Sequence, residues 1–210
     1  MIIKILNLQG FMAAYAMRST DQTRRWLCGV YIEPSGRVTG TNGHAMISVD
    51  KCVEPFKGEA FIASFLSIIP KCKRYVSAHI DTTMQRLVVY THTGPNKACT
   101  YDLIDAKYPD CMSVAVPTFK ADVTPRPSIG VNPKYLQLIN AAFGHNGVVM
   151  VFRNDSAIMV YPDTPFANDA LCMVMPMRFE ENVVAKDKKR AHRYMMLHEK
   201  NNEATAELAE

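Results

Sequence analysis

No apolar run in this 210-residue chain approaches the ~18–20 residues that a membrane-spanning helix needs. The opening segment MIIKILNLQG carries a single lysine, breaks its apolar residues early and lacks a small-residue cleavage site. No signal peptide is therefore expected, and a soluble cytoplasmic protein is the default. The six cysteines, at 28, 52, 72, 99, 111 and 172, include no CxxC pair. Scattered thiols read as small buried hydrophobes in a reducing compartment, which excludes a disulfide frame or a zinc ribbon. The six histidines show neither HExxH nor HxH spacing, so no metal and no cofactor is expected. A hydrolase built on His44 with a cysteine and an aspartate is set aside as well. Nothing in the spacing brings a nucleophile, a base and an orienting group together.

Strong charge is also missing. The formal net charge is +4, which permits a nucleic-acid partner without demanding one. Its distribution says more. Arg18, Arg24 and Arg25 fall in one stretch, Lys71, Lys73 and Arg74 in a second, and Lys186 to Arg193 in a third.

What is present is a repeated order of elements. Ile2–Ile5 reads as a strand. Asn7 reads as the N-cap of a helix reaching about Met17, with Leu8, Phe11, Met12 and Tyr15 on one apolar face. Strands are expected over Leu27–Ile32, Arg37–Thr41 and Ala45–Val49, with turns at Pro34-Ser35-Gly36 and Asn42-Gly43. A second pass gives a strand Ala60–Ile62, a short helical run Phe65–Ile69 interrupted by Pro70, and strands Val76–Ile80, Arg86–Thr91 and Ala98–Leu103. After a proline-rich connector, Pro117 to Pro127, a third pass gives a strand Ser128–Val131. Asn132-Pro133 then opens a helix Lys134–Phe143, followed by strands Gly147–Phe152, Ala157–Tyr161 and Ala170–Met175. The helix places Tyr135, Leu138, Ile139 and Ala142 on one side. The expected fold is α+β, with strand-helix-three-strand units, antiparallel sheets and helices on one face.

Three stretches carry a resemblance. They are Leu27-Cys28-Gly29-Val30-Tyr31-Ile32-Glu33 with Thr41-Asn42-Gly43-His44-Ala45-Met46, then Tyr108-Pro109-Asp110, then Val174-Met175-Pro176-Met177-Arg178. In this order the chain resembles the bacterial DNA polymerase III beta subunit, the sliding clamp family. Residues 1–112 look like the family's complete middle domain, and 113–180 contain what looks like the second half of its last. Residues 181–210 read as a charged, mobile tail. The family's first domain has no counterpart, as in a compact, phage-type genome. Ala45 stands where the family often has Arg, and Cys111 and Ser113 where it often has Tyr and Arg.

The resemblance implies a DNA replication processivity factor that is not an enzyme. It implies a pocket for short linear motifs of a polymerase and other replication proteins. Carried over by position, that pocket uses Leu27, Thr41, Gly43, His44, Met46, Pro109, Val114, Met173, Met175, Pro176, Met177 and Arg178. Unbranched methionines suit varied apolar partners. Two apolar anchors supply about 1.5–3 kcal/mol each, whereas micromolar binding needs roughly 8 kcal/mol, so modest affinity is expected. The resemblance also implies weak, sequence-independent contact with duplex DNA through Arg18, Arg24, Arg25, Lys71, Lys73, Arg74 and Lys134, and a homo-oligomeric ring. A ring of about a dozen such units would require about four chains of three units each. A module that keeps the pocket without closing a ring, and captures host replication factors, is the alternative.

Overall fold

The computed structural model describes residues 1–67, 69, 76–120, 129–143, 147–152, 157–163 and 169–177. Lys71, Lys73, Arg74, Arg178 and the charged tail lie outside the described residues. The chain divides into two compact units, one of residues 1–126 with 131–176, the other of 127–130 with 177–210. In the second, the Met177 amide donates to the Gly130 carbonyl at 2.8 Å in an isolated antiparallel bridge.

The first unit opens with β1 (Ile2–Ile5) and α1 (Leu8–Met17). As expected, Asn7 caps the helix, its side chain accepting from the Gly10 amide at 2.8 Å. This satisfies one of the backbone donors that a helix start leaves open. Strands β2 (Val30–Ile32), β3 (Val38–Thr41) and β4 (Ala45–Val49) follow, then β5 (Phe61–Phe65), β6 (Ser77–Asp81), β7 (Arg86–Thr91) and β8 (Gly94–Leu103). Helices α2 (Met112–Lys120) and α3 (Pro133–Phe143) precede β9 (Val148–Val151), β10 (Ile158–Pro162) and β11 (Ala170–Val174).

Among the described residues all strand pairs are antiparallel, and eleven strands form one sheet in the order β1-β6-β7-β8-β5-β2-β3-β4-β11-β10-β9. β8 joins two neighbourhoods: Gly94–Thr100 pairs with β7, and Tyr101–Leu103 pairs with β5. Helix α1 packs on β3, β4 and α3. Phe11, Ala13, Ala14, Tyr15 and Met17 are all buried there, and the Phe65 ring meets Phe11 and Tyr15 edge-on at 6.1 and 5.6 Å. Gly40 on β3 makes the close seating possible: a Cβ there would stand 1.8 Å from the Ala14 carbonyl oxygen of α1. No helix among the described residues is long and apolar enough to cross a membrane.

Four expectations change. The strand expected from Leu27 begins only at Val30, because Gln22–Leu27 winds into a 3-10 helix kinked at Arg24, whose φ of −116° and ψ of 60° are not helical. Asp21 caps that helix, accepting from the Thr23 amide at 3.0 Å. The helical run expected from Phe65 is absent over residues 65–67: Phe65 is the last residue of β5, opposite Tyr101, and Leu66 still bonds the Thr100 carbonyl at 3.0 Å. Aromatic and β-branched residues fit a pleated, buried surface better than one helical turn. Of the connector expected over Pro117 to Pro127, residues 117–120 are instead the last turn of helix α2, and 121–127 lie outside the described residues. The Asp110 carboxylate accepts from the Met112 and Ser113 amides at 3.0 and 3.2 Å. Burial of Ala115 and Thr118 then outweighs the one backbone bond that Pro117 removes. Within the expected strand Ser128–Val131, of which residues 129–131 are described, Gly130 alone among the described residues makes a strand-type contact.

Asp110 gives a direct test of α2. Asp110→Ala is expected to lower stability by about 1 kcal/mol, read as a lower urea midpoint with unchanged slope. Asp110→Asn, an equally good cap, should restore most of the loss. Equal midpoints for all three proteins would mean that Asp110 does not hold the helix start.

Candidate functional site

The turn between β3 and β4 is built by its own side chains. Gly43 has φ +89°, a left-handed conformation that suits glycine. Asn42 Oδ1 accepts from the His44 and Ala45 amides, both at 2.9 Å. The Thr41 hydroxyl donates to the Ala45 carbonyl at 2.8 Å and accepts from the Gly43 amide at 3.0 Å. A turn fixed this way holds the His44 ring outward, stacked on Tyr135 of α3 with centroids 5.7 Å apart. The His44 carbonyl accepts from the Met175 amide at 2.7 Å, continuing the β4–β11 ladder past its last paired residues.

That ladder sets Met46 directly opposite Met173, and both are buried in a second apolar cluster with Ala115, Ala157 and Met159. Helix α2 adds Val114, and the segment before it adds Pro109, Asp110 and Cys111. The 3-10 helix adds Arg24, Trp26 and Leu27 from the other side. These residues line one cleft of about 340 Å³. Tyr108 anchors its wall: the ring stacks on Tyr31 at 4.7 Å, and the buried hydroxyl donates to the Thr39 carbonyl at 3.4 Å. Burial, helped by neighbouring Asp110, pushes the Cys111 thiol up to about 11, so near neutral pH it is an uncharged part of the lining. Charge enters only at Arg24, whose Nε lies 3.4 Å from Asp21, and at Asp110.

Of the pocket residues expected from sequence, the structure brings Leu27, Thr41, Gly43, His44, Met46, Pro109, Val114, Met173 and Met175 to this cleft. Pro176 follows β11 and is half-buried outside the lining, and Met177 belongs to the second unit. Sequence reasoning missed Trp26, and it named Ala45, Asp110 and Cys111 in or beside the stretches that carry the resemblance without counting them as pocket residues. Trp26 is the chain's one tryptophan and 40% exposed; reading Leu27 as a strand start hid it.

Of the residues expected to meet DNA, four are described. Arg24 lines the cleft, while Arg25 and Lys134 are exposed. Arg18 is turned inward, its guanidinium 3.6 Å over the Tyr15 ring and Nη1 donating to the Tyr15 carbonyl at 2.7 Å. Burial lowers its pKa from the ordinary arginine value. Helix α1 carries no charged residue, and α3 carries only Lys134. Among the described residues, no three metal-ligating side chains cluster.

Solved structures supply the comparison. The DNA polymerase III beta subunit of Borrelia burgdorferi aligns over 82% of this chain with a TM-score of 0.55 at 15% identity. That of Thermotoga maritima aligns over 86% with a TM-score of 0.55 at 14% identity, and the DNA polymerase sliding clamp of Pseudomonas aeruginosa over 85% with 0.53 at 16%. The fold is that of the bacterial sliding clamp. No family model and no curated protein sequence matches the chain. The aligned region spans 61% of the Borrelia chain and 66% of the other two, just under two thirds. The α+β clamp architecture expected from sequence is thus the one observed, with α1 and α3 packed together and α1 laid on β3 and β4.

Proposed function

We propose that this chain is a clamp-type DNA replication protein whose cleft receives a short apolar segment of a polymerase or another replication protein. The observation carrying this reading is the cleft itself. It is apolar at its floor and edged by a rigid turn, and it is large enough for two side-chain anchors of a peptide. The protein acts by tethering and not by turnover.

In its fuller form the proposal has several chains closing around duplex DNA, with residues 1–112 as one clamp domain, 113–180 as half of another and 181–210 as a charged tail. DNA contact is then weak, sequence-independent and salt-sensitive. A second reading, a peptide-capturing module that closes no ring, draws support from the uncharged surface of α1 and the single cation of α3. Molar mass by light scattering, followed by retention on circular DNA, separates the two: a closed oligomer retained on DNA supports the ring, and a persistent monomer supports the module.

Trp26 offers the test of the cleft. Titration with a peptide bearing two adjacent apolar anchors, leucine and phenylalanine, is expected to blue-shift its emission and saturate with a dissociation constant on the order of micromolar. Emission that stays constant through millimolar peptide would refute the assignment.

A further inference from the structure

On the opposite face of β1, β6, β7 and β8 from the core lies a second cleft, of about 530 Å³. Alternation along these strands sends Ile3, Ile5, Ala78, Ile80, Leu87 and Val89 inward and leaves the intervening side chains outside. The register sets Lys4 beside His79, His79 beside Val88 and Asp81 beside Arg86. Directly opposed residues of this kind hold their side chains within about 5 Å of each other. The His79 and Tyr90 rings lie 5.4 Å apart, tilted by 37°. Lys97 joins the lining near the register shift between Val89 and Tyr90.

Asp81, the carboxylate in this lining, is spent on its own turn, while the exposed Glu54 lies beside Lys4 on the far side of β1, its amide donating to the Lys4 carbonyl at 2.8 Å. Asp81 Oδ1 accepts from the Thr83 and Met84 amides, both at 3.1 Å, and Oδ2 lies 3.5 Å from Arg86 Nε. Lys4 and Lys97 are exposed, and no acidic side chain among the described residues forms an ion pair with either. The result is an open sheet face with two part-exposed rings at its middle and an excess of positive charge around them.

We propose that this face binds single-stranded nucleic acid, with bases stacking on Tyr90 and His79 and phosphates meeting Lys4, Lys97 and Arg86. Two features favour a single strand over a duplex. Ring faces are useful only to bases free to unstack, and cations at the ends of a short sheet face match a backbone that bends to follow them. The inference stands apart from the peptide cleft, which shares no residue with it.

The test is fluorescence anisotropy of the full chain with a labelled 20-mer of deoxythymidine, its abasic counterpart and a duplex of equal length, each across a salt series. For the thymidine strand, log affinity is expected to fall with log salt at a slope of about −2, since each neutralised phosphate contributes about −0.7. The Lys4→Gln, Lys97→Gln double variant should reduce that slope by about 1.4. Tyr90→Ala should weaken the thymidine strand roughly tenfold and leave the abasic strand unchanged. Unaltered Trp26 emission in both variants verifies the fold. Absence of binding at low salt, affinity indifferent to the variants, an abasic strand bound as tightly, or a duplex weakened equally by Tyr90→Ala would each overturn the proposal.

Discussion

Gly40→Ala is expected to cost about 3 kcal/mol or more, a fall in Tm of roughly 6–12 °C for a chain of this size. Gly40 is absent from the residues of positive φ, so alanine meets no conformational obstacle there. The whole penalty comes from collision. The added carbon would stand 1.8 Å from the Ala14 carbonyl oxygen and 2.6 Å from its carbon. These are backbone atoms of a helix and have no rotamer through which to yield. Either α1 lifts from β3, opening space around Phe11 and Tyr15, or β3 shifts and carries the Thr41–His44 turn with it. The second route also disturbs the cleft, so peptide affinity should fall alongside stability. A Tm equal to that of the parent protein would mean that α1 does not seat on β3 as described.

The second large effect concerns binding alone. Val114 lies on α2 at the cleft and is 43% exposed, so Val114→Glu should fold normally and change Tm by little. Its carboxylate would nevertheless be covered by an apolar peptide without a partner, and Asp110, four residues before it, adds like-charge repulsion. A cost of about 3 kcal/mol follows, close to a hundredfold loss of peptide affinity by the Trp26 titration. Val114→Ala, which removes contact without adding charge, should lose roughly fivefold. If the glutamate variant binds like the parent, the peptide docks elsewhere and the cleft assignment fails.

Most of the strand order was legible because the pattern is strong where it matters. Ile2–Ile5, Ala45–Val49 and Arg86–Thr91 coincide with β1, β4 and β7, and Asn7 and Asn132 cap the helices they were expected to cap. The failures share a cause. At Phe65 and at Leu27 an apolar residue suited either element, and the choice fell to tertiary neighbours: Tyr101 across the sheet for one, the Asp21 cap for the other. At Pro117 local chemistry misled outright, since a proline usually marks a boundary. Here the Asp110 cap and the buried face of α2 override it. The cleft was readable through Asn42-Gly43-His44 and the methionines, which the ladder between β4 and β11 unites. Trp26 was not, because nothing in its own segment signals that the chain folds it toward residues far away in sequence.

That ladder also sets a timetable. Val49 finds Ala170, more than one hundred residues downstream, so at about 5–20 residues per second β4 waits roughly 6–25 s on the ribosome for its partner. During that interval Ala45–Val49, all buried in the finished fold, presents an open apolar edge of the sort that invites pairing with other chains. Met173 and Met175 arrive with the same strand. The cleft therefore comes into existence only once β11 has been made, and a chain that has not reached Met173 and Met175 lacks that wall of it.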